Sequence, residues 1–156
     1  MTRQQRDAVR ASYAFACGYC GVSETFSGGA LTVDHFQPVS RGGADEASNL
    51  VACCHACNEF KGAYWPTSVE EYALLHPGEG KAPEHLRFLP NGEVEGITPR
   101  GAFHIERLHL NRPELVAHRQ FLREVQDQEV ERGQLLERLR VVAEEVRALR
   151  LHIKNS

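Results

Sequence analysis

The chain lacks any apolar run near the ~20 residues that a membrane-crossing helix needs. It also lacks a signal-like apolar core after its polar start, Met1-Thr2-Arg3-Gln4-Gln5-Arg6. A spanning segment and a secretory leader are therefore not expected, and the expected location is intracellular (cytoplasmic). No charge of one sign dominates: 18 Lys and Arg face 21 Asp and Glu, for a net charge of −3. Bulk charge thus gives no sign of a nucleic-acid partner, although a basic face can sit on an acidic chain. No internal repeat or low-complexity tract stands out. A length of 156 residues suits one domain, or a small domain with an appendage.

Cysteine, by contrast, is present and patterned. All five cysteines fall before Thr67, and four form two CxxC pairs, Cys17/Cys20 and Cys54/Cys57. In a reducing compartment paired cysteines are more often metal ligands than disulfides. A CxxC turn puts two sulfurs on one side of a tight knuckle, and two knuckles supply four thiolates. Such closed sets are structural, not catalytic. A module this small has little core, and zinc binding with an apparent free energy of ~10–16 kcal/mol can decide whether it folds. The competing readings are a disulfide pair or plain buried cysteines. Cys53 is left over as a small buried apolar group, and His55 as a surface residue.

Three regions are expected: 1–66, 67–112 and 113–156. The first holds the cysteines, a helix near 4–16, a short strand at Leu31-Thr32-Val33, an apolar Leu50-Val51-Ala52, and a short helix opening at Asn58. In the second, Ser68 is expected to cap a helix over 69–76. Leu86-Arg87-Phe88-Leu89 and Glu93-Val94-Glu95-Gly96-Ile97 flank Asn91-Gly92, which reads as a hairpin with a type I′ turn. Thr98-Pro99 starts a helix toward Leu110. The third region is a long charged helical pattern with apolar marks at Leu115, Leu122, Val125, Leu136, Leu139, Ala143 and Val146. Gly133 interrupts it, which predicts a kink or two helices meeting there.

The segment between the knuckles carries a resemblance. Leu31-Thr32-Val33-Asp34-His35-Phe36-Gln37-Pro38-Val39-Ser40-Arg41-Gly42-Gly43, Asn49-Leu50-Val51 and Cys54-His55-Ala56-Cys57-Asn58-Glu59-Phe60-Lys61-Gly62 closely resemble the HNH endonuclease signature. The zinc-knuckle branch of that family has both CxxC pairs in these places. The last motif letter is Asn58 instead of His, a common variant in the family. The resemblance implies an α+β fold: a ββα-metal (His-Me finger) core stapled by a four-cysteine zinc site, followed here by a hairpin-helix extension and a long C-terminal helix. It implies His35 as general base, Asp34 and Asn58 as ligands of a catalytic divalent ion, and Asn49 as the brace of the loop that holds the His35 ring. It implies DNA as substrate, with 5′-phosphate and 3′-hydroxyl products.

The residue chemistry agrees with those roles. Phosphodiester hydrolysis needs an activated water, and an imidazole, titrating near ~6.5, can accept a proton at neutral pH. A carboxylate and an amide oxygen are hard ligands suited to Mg²⁺ or Mn²⁺. Arg41 and Lys61 are candidate phosphate contacts. Asp34 and His35 are adjacent, so on a strand they face opposite sides. They serve one site only if the backbone bends or the ion lies at the strand edge.

Downstream, His85-Leu86-Arg87-Phe88, Gly96-Ile97-Thr98-Pro99-Arg100-Gly101 and Leu108-His109-Leu110-Asn111-Arg112-Pro113 resemble an extension found in small stand-alone bacterial HNH proteins. That resemblance implies a compact single-purpose protein. His76, His85, His104 and His109 lack tight ligand spacing and read as core or surface histidines. Arg100, Arg107, Arg112, Arg119 and Arg123 suggest a phosphate-facing row, with helix solubility as the plainer reading. The apolar stripe of the last helix folds back or pairs with a second copy, so a homodimer through this helix is a candidate partner beside DNA. Two other functions stay open: a zinc-stapled DNA-binding module without cleavage, and an interaction protein built on the long helix.

Overall fold

A computed structural model describes residues 1–68 and 71–154. Residues 1–117 make one compact unit and residues 118–156 a second.

Helix α1 (Arg3–Ser12) opens with a capping box. The Thr2 hydroxyl accepts from Gln5 N–H, and the Gln5 side chain accepts from Thr2 N–H, so two free amides of the first turn are satisfied reciprocally. The helix stops four residues short of the expected end, because Ala14 and Phe15 adopt positive φ. That reversal starts the first cysteine knuckle. Cys17 N–H donates to Val22 O at 2.9 Å, and Gly18 N–H donates to Ala52 O at 2.8 Å, which ties the knuckle to the sheet. A short helix α2 (Glu24–Ser27) follows. Glu24 anchors it by accepting two hydrogen bonds from Arg10, at 2.5 and 2.7 Å, and one from Leu31 N–H at 2.9 Å.

Strands β1 (Thr32–His35) and β2 (Leu50–Cys53) pair antiparallel, with Asp34 opposite Val51 and His35 opposite Leu50. All four β2 residues are buried, which explains the unbroken apolar run in the sequence. Helix α3 (His55–Lys61) follows β2 directly and ends at Gly62. It opens three residues before the expected Asn58, because Cys54 already has the extended N-cap backbone.

Of the helix expected over 69–76, residues 69 and 70 lie outside the described ones, and 71–76 form no helix. Helix α4 (Ala82–His85) leads into the hairpin of β3 (Leu86–Phe88) and β4 (Val94–Gly96). The hairpin is as expected, but its turn is not type I′. That turn needs positive φ at both Asn91 and Gly92, and only Gly92 has it. Gly92 N–H instead bonds Leu89 O at 3.1 Å, so the turn begins one residue earlier and puts Pro90, with its fixed φ, in the first central position. Asn111 closes the open side of β4, donating to Val94 O at 2.8 Å and accepting from Val94 N–H at 2.7 Å.

Thr98 caps helix α5 (Pro99–Arg107), with Pro99 in its first turn. Helix α6 (Pro113–Lys154) runs through Gly133 as one element. None of the helices is long and apolar enough to cross a membrane, among the described residues. The main core joins Cys17, Tyr19, Leu31, Val51 and Cys53 from the first region to Leu74, Leu108, Leu110 and Leu115 from further on. The extension therefore supplies apolar cover that the cysteine module cannot make alone.

Candidate active site

The four CxxC cysteines converge. Cys17 and Cys20 sit on the first knuckle, Cys54 at the N-cap of α3, and Cys57 inside its first turn. Their sulfurs all lie within 4.8 Å of one another, and Cys20 and Cys54 are 3.7 Å apart. Four thiolates ~2.3 Å from a tetrahedral zinc would be spaced by about 3.8 Å. The donor set is thus positioned to bind a metal such as zinc. Hydrogen bonds from Cys20 first, and then from Cys53, Cys54 and Cys57, pull the Cys17 thiol below the usual range. Cys17 in turn pushes Cys57 up. Cys53 stays outside the cluster, buried on β2 with its sulfur against Cys54 O.

Asp34 is held from two sides. Tyr19 Oη, from the middle of the first knuckle, donates to Asp34 Oδ2 at 2.9 Å. The Lys61 ammonium lies 3.0 Å from Oδ2 and 3.2 Å from Oδ1, and donates to His35 O at 2.8 Å. Burial and the negative Asp34 carboxylate push the Tyr19 hydroxyl well above its usual range, so it remains a donor. Lys61 is 0% exposed. The reading of Lys61 as a solvent-facing phosphate contact therefore fails: its ammonium is committed inside, to Asp34 and to the last carbonyl of β1. Asn58, three residues before Lys61, lies on the same face of α3 and is half-buried.

His35 points to different partners. Its Nε2 lies 2.5 Å from Asp45 Oδ1, and that contact holds the Asp45 carboxyl below its usual range. Asp45 comes from the loop between β1 and β2, whose shape Asn49 sets. The Asn49 side chain accepts from Gln37 N–H at 2.8 Å and donates to Gln37 O at 3.1 Å and Ala44 O at 2.9 Å. Gly43 sits against this brace so closely that a Cβ there would lie 1.8 Å from Gln37 O. Arg41 is exposed on the same loop, at the end of a 3-10 turn.

The arginine row is mostly internal. Arg100 donates to Ala73 O and Leu74 O, and Arg107 donates to Lys61 O while stacking over Tyr64. Arg112 donates to Leu108 O and His109 O and approaches Cys57 Sγ at 3.9 Å. These three close the first unit and do not form a phosphate-facing row. The histidines of the extension form no metal cluster among the described residues. His104 is buried, and its Nδ1 accepts from Leu75 N–H at 3.1 Å; burial, then the charges of Arg100 and His85, lower its pKa to about 4. His55 is exposed beside Glu59.

Tyr19 and Asp45 escape sequence reasoning, and Arg112 is placed by it in a phosphate-facing row instead of beside Cys57. Tyr19 is a spacer inside a CxxC turn, and Asp45 lies ten residues from His35. Only folding shows what they touch.

The HNH endonuclease family model matches residues 17–63. Over 61 residues the chain is 43% identical to the CRISPR-associated endonuclease Cas9 of Corynebacterium diphtheriae. The match covers 35% of this chain and 5% of that relative, so the chain spans only a small part of its length. No solved structure matches.

Proposed function

We propose, from the HNH endonuclease domain at residues 17–63, that this protein is a metal-dependent endonuclease hydrolysing DNA phosphodiester bonds on a zinc-stapled ββα-metal core. The observation that carries the reading is the division of labour at the end of β1. Adjacent residues Asp34 and His35 are each oriented by separate partners, one inside and one on the loop.

His35 is the general base. With Nε2–H donating to Asp45, the lone pair sits on Nδ1, which takes the proton of the attacking water. Asp45 holds that tautomer and ring angle, and Asn49 holds the loop that carries Asp45. Asp34 and Asn58 supply hard oxygen donors, and they would hold one Mg²⁺ or Mn²⁺ whose charge, when bound, neutralises the scissile phosphate and leaving oxygen. Lys61 neutralises Asp34 from the buried side and fixes its carboxylate. Zinc on Cys17, Cys20, Cys54 and Cys57 is structural, because four thiolates leave no open position. Arg41 is the remaining candidate phosphate contact on the exposed side of the loop.

DNA is one partner in this reading, and a second copy paired through α6 is the other. Plasmid nicking with Mg²⁺ or Mn²⁺, on the parent and on His35→Ala, tests the function. The parent should cut and the variant should not, with zinc content equal. Equal cutting by both removes His35 as the base. Tight DNA binding without cutting under any divalent ion points to a binding module instead.

A further inference from the structure

Helix α6 carries an apolar stripe that takes no part in the cleavage chemistry. Leu135, Leu139, Val142, Val146, Leu149 and Ile153 are spaced 4, 3, 4, 3 and 4 residues apart. That is a heptad repeat with Leu139, Val146 and Ile153 at a and Leu135, Val142 and Leu149 at d. All six are between 42% and 73% exposed within the chain, a row of large aliphatic groups left in water. A seam with this 3.5-residue period faces a like helix continuously when the two supercoil.

From this pattern we infer that residues 135–153 form a parallel, in-register two-stranded coiled coil with a second copy of this chain. The flanking charges select the orientation. Glu145 is a g position, and Arg150 is the e position of the following heptad. In a parallel pair each Glu145 meets Arg150 of the other helix, twice per dimer. In an antiparallel pair with the same seam, Glu145 would meet its own copy, and like charges would oppose. The side-chain shapes select the number of strands. β-branched Val146 and Ile153 at a, with Leu135 and Leu149 at d, favour two helices; the Leu139/Val142 heptad reverses that order without adding a polar group. Arg132 occupies the preceding a position, so the seam begins after it. In a parallel pair both copies of α6 enter the coil in the same chain direction.

The test uses the full chain. Sedimentation equilibrium from low to high micromolar should give twice the 17.5 kDa chain mass. Leu139→Asp, at an exposed position, should return the mass to one chain with zinc content and helicity kept. Glu145→Arg should weaken the dimer about fivefold, the combined worth of two exposed ion pairs, and Glu145→Arg/Arg150→Glu should restore it. Leu149→Cys should oxidise to a covalent dimer, because d faces d only in a parallel pair. A single-chain mass throughout the series overturns the proposal. So does a dimer untouched by Leu139→Asp, or a Leu149→Cys chain that crosslinks only when mixed with Leu139→Cys, the antiparallel outcome. None of these readings depends on cleavage.

Discussion

Tyr19 Oη donates a 2.9 Å hydrogen bond to Asp34 Oδ2, so the spacer of the first cysteine knuckle holds the carboxylate of β1. The frame and the chemistry are therefore joined by one side chain, not only by the backbone. Tyr19→Phe should keep the fold and the four-cysteine metal while losing about 1.5–3 kcal/mol, the worth of a hydrogen bond to a charged group. Mn²⁺ titration should show weaker binding than the parent; unchanged affinity would remove Tyr19 as a positioning residue.

On the other side of Asp34, Lys61 makes the same carboxylate part of a buried ion pair. Lys61→Met leaves Asp34 charged and half of its partners missing, at a loss of about 3–5 kcal/mol. Chemical denaturation of the two proteins measures it. A loss within a few tenths of a kcal/mol would mean that Lys61 is not committed to Asp34 in solution.

Cys17 and Cys53 are both buried, yet they should behave oppositely. Cys17→Ala removes one of four converging sulfurs, and with it the metal whose binding is worth ~10–16 kcal/mol in comparable small modules. Metal content should fall and the circular dichroism of the N-terminal elements should collapse. Cys53→Ala should keep one tightly bound metal per chain and cost about 1 kcal/mol for the small void. Metal analysis by atomic emission separates the two outcomes.

His104 gives the fold an acid sensitivity of defined sign. Its folded-state pKa, about 4, lies below the ordinary 6.5, so the folded chain resists the proton that the unfolded chain accepts. The neutral ring's contribution is complete above pH 6.5 and is lost as pH falls toward 4; below that both states are protonated. The span amounts to about 3 kcal/mol. His104→Asn keeps an acceptor for Leu75 N–H and cannot titrate, so its stability should fall less between pH 6.5 and 4. Parallel curves for both proteins would contradict this role.

Gly43 tests the loop that carries Asp45. Gly43→Ala would place a Cβ 1.8 Å from Gln37 O, against backbone that cannot step aside. The strain should cost about 1–3 kcal/mol. It should also loosen the Asn49 brace, and so reduce nicking more than DNA binding. Gel shift and nicking on the same preparation measure both.

Whatever depends on spacing along the chain is legible in one dimension. The CxxC pairs, the Asp34-His35 dipeptide, the apolar Leu50-Val51-Ala52, and the Thr98-Pro99 helix start are local patterns, and local backbone geometry obeys them. Tertiary structure decided what depends on partners far apart in sequence. The turn at Pro90 followed the registered pairing of β3 with β4, not the Asn91-Gly92 signal alone. Lys61 looked like a surface cation until Asp34, 27 residues earlier, drew it inside. Three arginines that suggested a phosphate surface are bound inward instead, each donating to backbone carbonyls of its own unit. Asp45 became the partner of His35 only when Asn49 shaped the loop between them. A charge carries no address in one dimension; burial and the nearest acceptor assign it.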